Sequence, residues 1–502
     1  MAASGEGLAV NVTSETRGAA KGSAFHDGRM LIGGRMVESA SGRWLDSHNP
    51  ANLEPIGRVP MADTADVAAA VEAALTAQKE WAAMDMNRRA ALLLKFCDRL
   101  QERSDEILAL EVADTGNTIT PMRNDLANGL ERLRYFVGIA YELKGQSVPS
   151  TAKNLHFTIR EPYGVCARIL AFNHPIYFAL CGIGAPLMAG NAIILKPSEQ
   201  SPLSASIFGE VAAEVLPAGI VSVVTGGQEA GEALVRHPRI KRLSFVGSAR
   251  TGMAIQRTAA EVCVKHVSLE LGGKNPFIVY PDAPAAKAAK AAVSGMNFGW
   301  QGQSCGSTSR LMVHADLYDE VVDEVAKSVG AIRVGDPFRD DSQMGPINSA
   351  AQFDKVRAAI ASGIDDGARL LCGGKRPEGR EFETGYWVEP TVFADVTPDM
   401  RIAREEIFGP VLSIMKWSTE EEMIEMANGV DLGLTAAVWT NDITKAMKTA
   451  RALENGYVWI NGVGAHVRGM PYGGYKNSGT GRERGLEEMI SYTEEKSIHI
   501  ML

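Results

Sequence analysis

Paired cysteines and an excess of positive charge are both absent from this sequence. None of the cysteines forms a CxxC pair, which excludes the usual spacing of a zinc site and a dense disulfide framework. The chain has 51 Lys and Arg against 60 Asp and Glu, and the net charge of −9 argues against nucleic acid or an anionic membrane as a partner. We therefore expect reduced thiols, no bound metal and a cytoplasmic location.

A long uninterrupted hydrophobic run is missing as well. The chain between Arg168 and Lys196 has no Asp, Glu, Lys or Arg, and its length alone would permit a membrane span. Pro175, Pro186 and several glycines divide this stretch, which is typical of the buried core of a soluble protein. Residues 1–27 are small and polar and lack the apolar centre of a signal peptide, so they are expected to form a flexible N-terminal arm.

The sequence does contain enough apolar material for a large core. With 502 residues, 45% of them hydrophobic, it is expected to hold roughly three domains of about 150 residues each. Short apolar runs and helical segments alternate from residue 165, which predicts a doubly wound parallel sheet, and a second α/β domain is expected over residues 275–476. The predicted strands of the first sheet are residues 165–172, 192–196, 220–224, 242–246 and 266–271.

Doubly wound sheets bind ligands beyond the carboxyl ends of their strands, and polar residues stand at these ends here. Gly247, Ser248 and Gly252 follow one strand, where the N-terminus of a helix could bind a pyrophosphate. The segment matches neither GxGxxG nor a P-loop, so an ordinary tight turn is an equally good interpretation. Lys196 and Glu199 follow another strand and could contact the two hydroxyls of a ribose, or could form a solvated charged loop.

Glu270 lies inside an apolar strand, which is unusual for a carboxylate. Its burial costs free energy unless the group is partnered or functional, and a raised pKa would suit a general base near neutral pH. The alternative is a side chain that points to solvent at an exposed strand end. Gly272 and Gly273 follow directly and favour the close approach of another group to the backbone.

Cys305 lies in the segment NFGWQGQSCGSTSR, among small and hydrogen-bonding residues. A Cys-Gly-Ser step also occurs in papain-like proteases, but there a second cysteine and an aromatic residue follow, near the start of the mature chain. Here Thr308 and Ser309 follow instead, and the segment lies deep in the chain. The protease interpretation therefore fails.

A thiolate, an amide, a carboxylate and a dinucleotide site form a coherent set for one reaction. The thiolate of Cys305 would add to a carbonyl carbon, and the amide of Asn173, between a strand and a helix, would stabilise the oxyanion. Loss of hydride to a nicotinamide would leave a thioester, which Glu270 would hydrolyse by activating water.

From about Met30 onward the chain strongly resembles the aldehyde dehydrogenase superfamily. The matching motifs, in the family's order, are FNHP, KPSEQ, FVGSARTG, LELGGKNP, QGQSC, EEIFGPV, WINGV and PYGGYKNSGTGRERG. The resemblance implies an α/β fold with a Rossmann-type NAD-binding domain, an α/β catalytic domain and a small β arm through which a homodimer or homotetramer assembles. The implied boundaries are 28–143 and 163–274 for the NAD-binding domain, 275–476 for the catalytic domain, and 144–162 and 477–502 for the oligomerisation arm.

The resemblance also implies roles for individual residues. Cys305 corresponds to the nucleophile, Glu270 to the general base and Asn173 to the oxyanion donor. The positions that correspond to cofactor-binding residues are Ile169, Phe172, Lys196, Glu199, Gly247, Ser248, Gly252, Leu271, Glu406 and Phe408.

Two glutamates bear on the cofactor and on the product. A carboxylate at Glu199, facing a ribose 2′-hydroxyl, favours NAD, although relatives with this residue can also accept NADP. Acylating relatives, which pass the thioester to coenzyme A, usually lack the base that corresponds to Glu270, so a free acid is the expected product. An acylating or esterase-like cysteine enzyme and an inactive NAD-binding or structural member of the fold are the alternatives.

The expected substrate is a small aldehyde whose class depends on the pocket. Tyr177 and Phe178 would give the aldehyde tunnel aromatic walls, and His466 and Arg468 stand in the loop that closes the tunnel in the family. Arg468 could pair with the carboxylate of a semialdehyde, or could be a surface or interface charge. The prediction is therefore an aromatic aldehyde or a semialdehyde.

Departures from the commoner family pattern lie near the same pocket. Phe172 stands where the family often has Trp, His174 where it often has an apolar residue, and Trp300 where it often has Asn. The pair Gly306-Ser307 after the nucleophile is also not the commonest one. These departures bear on the substrate rather than on the type of reaction.

Overall fold

The structure, a computed structural model, describes residues 25–502. Most of the predicted N-terminal arm, residues 1–27, lies outside the described residues. The end of that range differs from the prediction, because His26–Asp27 form a short strand that pairs with Gly57 and Arg58. Within residues 25–502, no helix combines the length and apolar character needed to cross a membrane, and no group of three or more His, Cys, Asp or Glu side chains is placed to hold a metal ion.

Strands and helices alternate over most of the described chain, as the sequence predicts. The strands are β1 (His26–Asp27), β2 (Met30–Ile32), β3 (Arg35–Val37), β4 (Trp44–His48), β5 (Pro55–Pro60), β6 (Ser147–Thr151), β7 (Asn154–Pro162), β8 (Val165–Ile169), β9 (Ala192–Lys196), β10 (Val221–Val223), β11 (Ile240–Val246), β12 (His266–Glu270), β13 (Pro276–Val279), β14 (Arg310–His314), β15 (Arg369–Cys372), β16 (Thr391–Ala394), β17 (Val411–Trp417), β18 (Leu432–Gly433), β19 (Thr435–Trp439), β20 (Tyr457–Ile460), β21 (Tyr475–Lys476), β22 (Gly479–Thr480) and β23 (Thr493–Met501).

The α-helices are α1 (Thr64–Ala83), α2 (Met86–Glu102), α3 (Ser104–Thr115), α4 (Ile119–Gly138), α5 (Pro175–Met188), α6 (Ser204–Val215), α7 (Gln228–Arg236), α8 (Ala249–Val262), α9 (Ala285–Gly295), α10 (Tyr318–Gly330), α11 (Ala350–Asp365), α12 (Arg401–Arg404), α13 (Glu420–Asn428), α14 (Ile443–Ala452) and α15 (Leu486–Ile490). Short 3₁₀ turns cover Ala140–Glu142, Phe298–Trp300, Ala315–Leu317 and Arg380–Phe382.

The first large sheet has eight strands in the order β22-β12-β11-β8-β9-β10-β2-β3. Its strands β12, β11, β8, β9 and β10 are parallel, and a strand such as β9 is buried along its whole length, which explains the continuous apolar run in its sequence. The chain runs from β8 outward to β10 and then returns to β11 beside β8. This reversal opens a crevice at the carboxyl ends of β8 and β11, the usual ligand site of such sheets.

The second large sheet has seven strands in the order β15-β16-β17-β14-β13-β19-β20, all parallel to their neighbours except β15. Residues 271–275 lead directly from the carboxyl end of β12 to the amino end of β13. Cys305 lies in the loop before β14, whose Arg310 pairs with Pro276 of β13. The binding edge of the first sheet therefore meets the loop that carries the cysteine.

A separate three-stranded antiparallel sheet has the order β23-β7-β6. It contains much of the segment 144–162, but it takes only β23 from the predicted C-terminal part, residues 477–502. β22 pairs instead with β12 of the first sheet, and α15 packs against α5. Residues 479–490 therefore contact the first sheet and its helix α5, while the extent of the arm from residue 477 stays a prediction.

The predicted strands of the first sheet agree with β8 to β12 except at their ends. The run predicted over residues 165–172 ends at Ile169, because the chain beyond it turns toward the adjacent strand end: the Leu170 N–H donates to the Lys196 carbonyl at 2.9 Å. The Ser201 hydroxyl also donates to the Phe172 carbonyl at 2.8 Å. These bonds tie the ends of β8 and β9 together beside the crevice.

Candidate active site

The three residues predicted to carry the chemistry meet at the crevice. Asn173 follows β8, Glu270 ends β12 and Cys305 precedes β14. All three border a single cavity of ≈ 810 Å³. Residues that are far apart in sequence are thus brought together by the direct passage of the chain from one sheet to the other.

Cys305 is positioned through its backbone. The side-chain amide of Asn275 donates to the carbonyl oxygens of Cys305 at 2.7 Å and of Ser307 at 2.9 Å. Gly273 permits this approach, because a Cβ there would lie 2.4 Å from the Cys305 carbonyl oxygen. The glycine step after β12 therefore leaves room for the loop that carries the cysteine.

Asn173 is buried and held from two directions. The Asn117 amide donates to its carbonyl oxygen at 2.9 Å, and its own Nδ2 donates to the Gln303 carbonyl at 2.8 Å. The helix start after it is held by Glu111, whose Oε2 accepts from the Ile176 N–H at 3.3 Å. A side-chain amide has two N–H donors, so one remains for a bound oxyanion.

Glu270 is only 7% exposed, and its Oε2 atom is buried with no hydrogen-bond partner in the described chain. The solvent-exposed alternative for this residue is therefore wrong. Burial, followed by repulsion from the Glu483 carboxylate, raises the pKa of Glu270 well above its ordinary value. Glu483 is itself engaged by Arg168, which donates to its two oxygens at 2.6 and 3.0 Å. A carboxyl group of raised pKa suits a general base near neutral pH.

The groups around the Cys305 thiol shift its pKa in opposite directions. Burial raises the pKa of the thiol to about 12, and the carboxylates of Glu406 and Glu270 act in the same direction. The Arg484 guanidinium and a hydrogen bond with the Tyr472 hydroxyl act to lower it. The neutral thiol is therefore the resting form, and its ionisation requires a base or an added positive charge.

The cavity extends from Cys305 along the carboxyl ends of the first sheet. Gly252 does not border the cavity. It lies inside α8, where a Cβ would come within 2.9 Å of Leu271 Cδ2, so helix–sheet packing requires a glycine here; its role as a cofactor contact stays a prediction. The other residues predicted to bind the cofactor do border the cavity, and they are Ile169, Phe172, Lys196, Glu199, Gly247, Ser248, Leu271, Glu406 and Phe408.

One end of the cavity combines a helix N-terminus with a paired ammonium and carboxylate. Ser248 caps α8, and its hydroxyl oxygen accepts from the Thr251 N–H at 3.3 Å. Lys196 is buried, and burial lowers its pKa; its Nζ lies 3.4 Å from Glu199 Oε2. The helix N-terminus suits a pyrophosphate, and the charged pair suits the hydroxyls of a ribose.

Glu406 and Phe408 form the end of the cavity nearer Cys305. The Gly273 N–H donates to Glu406 Oε1 at 2.8 Å, and a Cβ at Gly272 would lie 2.1 Å from Oε2, so this glycine pair accommodates the carboxylate. Burial raises the pKa of Glu406. Phe408 packs edge-on against Phe172 with ring centroids 5.7 Å apart.

Aromatic residues predicted for the substrate pocket cluster around His174. Its ring contacts those of Tyr177, Phe178 and Trp300 at centroid distances of 6.2, 5.5 and 5.3 Å. Asp125 links two of them, because its Oδ2 accepts from Trp300 Nε1 at 3.0 Å and lies 2.7 Å from His174 Nδ1. Three of the predicted pocket residues thus surround the His174 ring, and the Asp125 carboxylate ties that ring to one of them, Trp300.

The other two predicted pocket residues differ in their surroundings. His466 packs against the rings of Trp459 and Tyr472, at centroid distances of 5.7 and 5.2 Å. Arg468 forms an ion pair with Glu131, and 60% of its side chain is exposed. These contacts are those of a surface charge, which was one of the two interpretations of Arg468; its pairing with a substrate carboxylate stays a prediction.

Several residues of the site were not predicted from the sequence. Three of them carry the side-chain amides that hold the backbone near Asn173 and Cys305. One lies outside the quoted motifs, and the other two lie inside motifs but were given no role. Two others lie inside the motif PYGGYKNSGTGRERG, which does not reveal that they contact the thiol region. These residues are Asn117, Asn275, Gln303, Tyr472 and Arg484.

Comparison with known proteins identifies the family. The family model described as Aldehyde dehydrogenase family matches residues 36–498. The chain belongs to the aldehyde dehydrogenase family. The aldehyde dehydrogenase tropH of Talaromyces stipitatus is 41% identical to it over 461 residues, which cover 90% of this chain and 89% of the relative.

Solved structures of aldehyde dehydrogenases confirm the α/β fold. The NAD+ complex of an aldehyde dehydrogenase from Bacillus cereus has a TM-score of 0.92 and 37% identity, and covers 98% of this chain and 99% of its own. A mutant of AldA from P. syringae, an indole-3-acetaldehyde dehydrogenase in complex with NAD+ and IAA, has a TM-score of 0.94 and 36% identity, and covers 98% of this chain and 100% of its own.

Proposed function

We propose that this aldehyde dehydrogenase oxidises an aldehyde to the carboxylic acid, with NAD as hydride acceptor and Cys305 as nucleophile. The observation that carries the proposal is the position of Cys305 at one cavity together with Glu270 and Asn173. The cavity, ≈ 810 Å³, lies within the range of about 300–1,000 Å³ typical of ligand sites. The NAD+ complexes of the B. cereus and P. syringae relatives support the same cofactor.

In the first half of the reaction the sulfur of Cys305 forms a bond to the aldehyde carbon, and the thiol proton passes to a base, for which Glu270 is placed. The free N–H of the Asn173 amide stabilises the negative charge that develops on the aldehyde oxygen. When bound, NAD+ supplies the acceptor for the hydride that leaves the same carbon. Cys305 then carries the acyl group as a thioester.

In the second half Glu270 accepts a proton from water, and the hydroxide so formed adds to the thioester carbon. The C–S bond breaks, the acid leaves, and the sulfur regains a proton. The raised pKa of Glu270 favours this role, because the carboxylate then accepts a proton readily near neutral pH.

The residues around the cavity fit NAD. Lys196 and Glu199 would hold the hydroxyls of the adenosine ribose, the N-terminus of α8 at Ser248 would hold the pyrophosphate, and Glu406 would hold the nicotinamide ribose. The Glu199 carboxylate would repel a 2′-phosphate, so NAD is expected ahead of NADP.

The substrate that we infer is an aromatic aldehyde or a semialdehyde. Tyr177, Phe178 and Trp300 offer aromatic surface around His174. Aromatic walls favour a flat or apolar substrate body by offset or edge-on packing.

We also propose that the protein is a cytoplasmic homodimer or homotetramer assembled through the sheet of β6, β7 and β23. β6 is exposed along its whole length, and apolar side chains of this sheet, including Val148, Leu155 and Ile500, are exposed as well. An exposed edge strand is a ready template for pairing with a second chain. Light scattering of the purified protein would show a monomer if the proposal fails.

The proposed reaction is tested by NADH absorbance across short aliphatic, ω-carboxylated, amino or trimethylammonium, and aromatic aldehydes, with NAD or NADP and without coenzyme A. We expect turnover of at least one class, and a loss of at least about a thousandfold in Cys305→Ala with NAD binding retained. Retained turnover in that variant would exclude the mechanism. Turnover only with coenzyme A would favour an acylating enzyme. Ester hydrolysis without a cofactor would favour an esterase-like enzyme, and NAD binding without any turnover would favour an inactive member of the fold.

A further inference from the structure

A half-buried arginine, Arg484, lies near the loop of the nucleophile and outside the lining of the cofactor cavity. The Cζ atom of Arg484 lies 4.0 Å from the ring centroid of Tyr472 and 5.8 Å from that of Tyr177. The Tyr472 hydroxyl in turn lies beside the residue that follows the nucleophile, because a Cβ at Gly306 would come within 3.7 Å of it. The Arg484 charge acts to lower the pKa of the Cys305 thiol. The Tyr472 ring therefore lies between the guanidinium and the loop that carries the nucleophile.

This guanidinium is incompletely paired. Its Nη1 is buried and has no hydrogen-bond partner in the described chain. No carboxylate of residues 25–502 lies within ion-pair distance of Arg484, nor of the buried Arg132, whose Nη1 donates to the Arg484 carbonyl at 3.2 Å. Contacts with two aromatic faces offset part of the desolvation cost of the charge, but they leave the N–H donor unsatisfied.

Three acidic residues near the two arginines already have other partners. Glu483 accepts two hydrogen bonds from Arg168, and Glu131 pairs with Arg468. Asp125 lies between His174 and Trp300.

Glu488 is the remaining carboxyl group: its Oε2 accepts from the Arg484 N–H, and its Oε1 is buried with no hydrogen-bond partner in the described chain. Burial and repulsion from Glu483 raise the pKa of Glu488 to about 8. Neither guanidinium forms an ion pair with it, and two unpaired guanidinium groups side by side favour an anionic ligand.

The backbone at Arg484 is also held in an unfavourable conformation. Its φ of 73° lies in the left-handed region that L side chains rarely adopt. The Arg484 N–H donates to Glu488 Oε2 at 2.5 Å, and the Arg132 bond holds the carbonyl. A residue kept in such a conformation by its neighbours on both sides is placed accurately, as binding residues must be.

We propose that Arg484, with Arg132 beside it, binds a carboxylate at the end of the substrate remote from its aldehyde group, so that the substrate is a carboxylated aldehyde. The inference rests on the proposed oxidation of an aldehyde at Cys305. A carboxylate fits the planar, forked donors of arginine, and the faces of Tyr177 and Tyr472 on the guanidinium favour a flat ligand group.

The test compares aldehydes that differ only in this charge: succinic semialdehyde with its methyl ester, and a carboxybenzaldehyde with its methyl ester. We expect wild-type kcat/KM to be about 10- to 100-fold higher for the acids, because hydrogen bonds to a charged group are lost in the esters. Arg484→Gln should remove this preference mainly through KM, Arg484→Lys should restore part of it, and Arg468→Gln, the matched surface variant, should leave it unchanged. A glyceraldehyde phosphate preferred over the acids would contradict the choice of carboxylate.

If Arg484→Gln lowers kcat/KM equally for acids and esters, the residue has a structural role and the inference is overturned. Equal wild-type kcat/KM for acids and esters would also overturn it. Dicarboxylates and their monoesters add a measurement that needs no variant at Arg484 and no turnover. Calorimetry should detect a dicarboxylate, but not its monoester, binding to Cys305→Ala. If no aldehyde is oxidised, the proposed function is wrong, but dicarboxylate binding still tests the anion site. If esters and acids react alike and dicarboxylates do not bind, the proposed function stands and only the anion site is wrong.

Discussion

The two sides of Cys305 differ in charge and in how they are built. On the cofactor side, Glu406 raises the pKa of the thiol, and most of the residues follow strand ends of the first sheet. On the substrate side, Arg484 and Tyr472 act to lower that pKa, and they contact residues of α4 and α5 that are far away in sequence. The thiol therefore lies at the boundary between a negative and a positive half of the site.

This difference in construction explains why the sequence predicted the residues of the cofactor side but not those of the substrate side. A parallel sheet places the carboxyl ends of its strands along one edge, so a polar residue after an apolar run is already located in the site. The substrate side depends instead on tertiary contacts such as that between Arg132 and Arg484, 352 positions apart. No spacing or periodicity in the sequence encodes such a contact.

The largest effect should come from Glu270, which lies between the two sides. Glu270→Gln removes the base for deacylation, and we expect turnover to fall by about 100-fold or more. Because the pKa of Glu270 is raised, the wild-type group is protonated at low pH and becomes a base as pH rises, so wild-type turnover should increase through this pKa. The variant should lack that increase in a pH–rate profile, and an unchanged profile would remove Glu270 from this role.

An intermediate effect should appear in the reactivity of the thiol itself. Glu406→Gln removes a negative charge and should lower the pKa of Cys305, whereas Tyr472→Phe removes a hydrogen bond and should raise it. A shift of one unit changes the thiolate fraction by about tenfold. Alkylation of the NAD-free enzyme by iodoacetamide at alkaline pH should therefore speed up in the first variant and slow down in the second. If the alkylation rate changes in the same direction in both variants, the two sides do not have opposite electrostatic effects on the thiol.

The smallest effect should concern cofactor choice at the far end of the cavity. Glu199→Gln removes a largely exposed carboxylate, 51% exposed, that would repel a 2′-phosphate. We expect kcat/KM for NADP relative to NAD to rise by about fivefold, the scale of one exposed charge interaction. Iodoacetamide reactivity of Cys305 should not change in this variant, which makes it a control for the thiol experiment. A ratio that stays the same would show that Glu199 does not face the 2′ position.

The sequence predicted the fold and the edge of the first sheet well, because strands buried on both faces produce the apolar runs of β8 to β12. It placed Asn173, Glu270 and Cys305 in one site through the family resemblance. It did not reveal the packing role of Gly252, since a glycine in a phosphate-binding motif and a glycine in a tightly packed helix look alike in sequence. It offered Arg468 as a partner for a substrate carboxylate or, equally, as a surface charge, and it gave no role to Arg484, whose backbone has a positive φ of 73°.

The central claim, that Cys305 attacks an aldehyde and carries the acyl group, is tested most directly by trapping that group. Glu270→Gln mixed with NAD and a substrate aldehyde, quenched in acid and examined by mass spectrometry, should show an acyl adduct on the peptide that contains Cys305. The same treatment of Cys305→Ala should show none. An adduct on another cysteine, or turnover by Glu270→Gln without any adduct, would contradict the account.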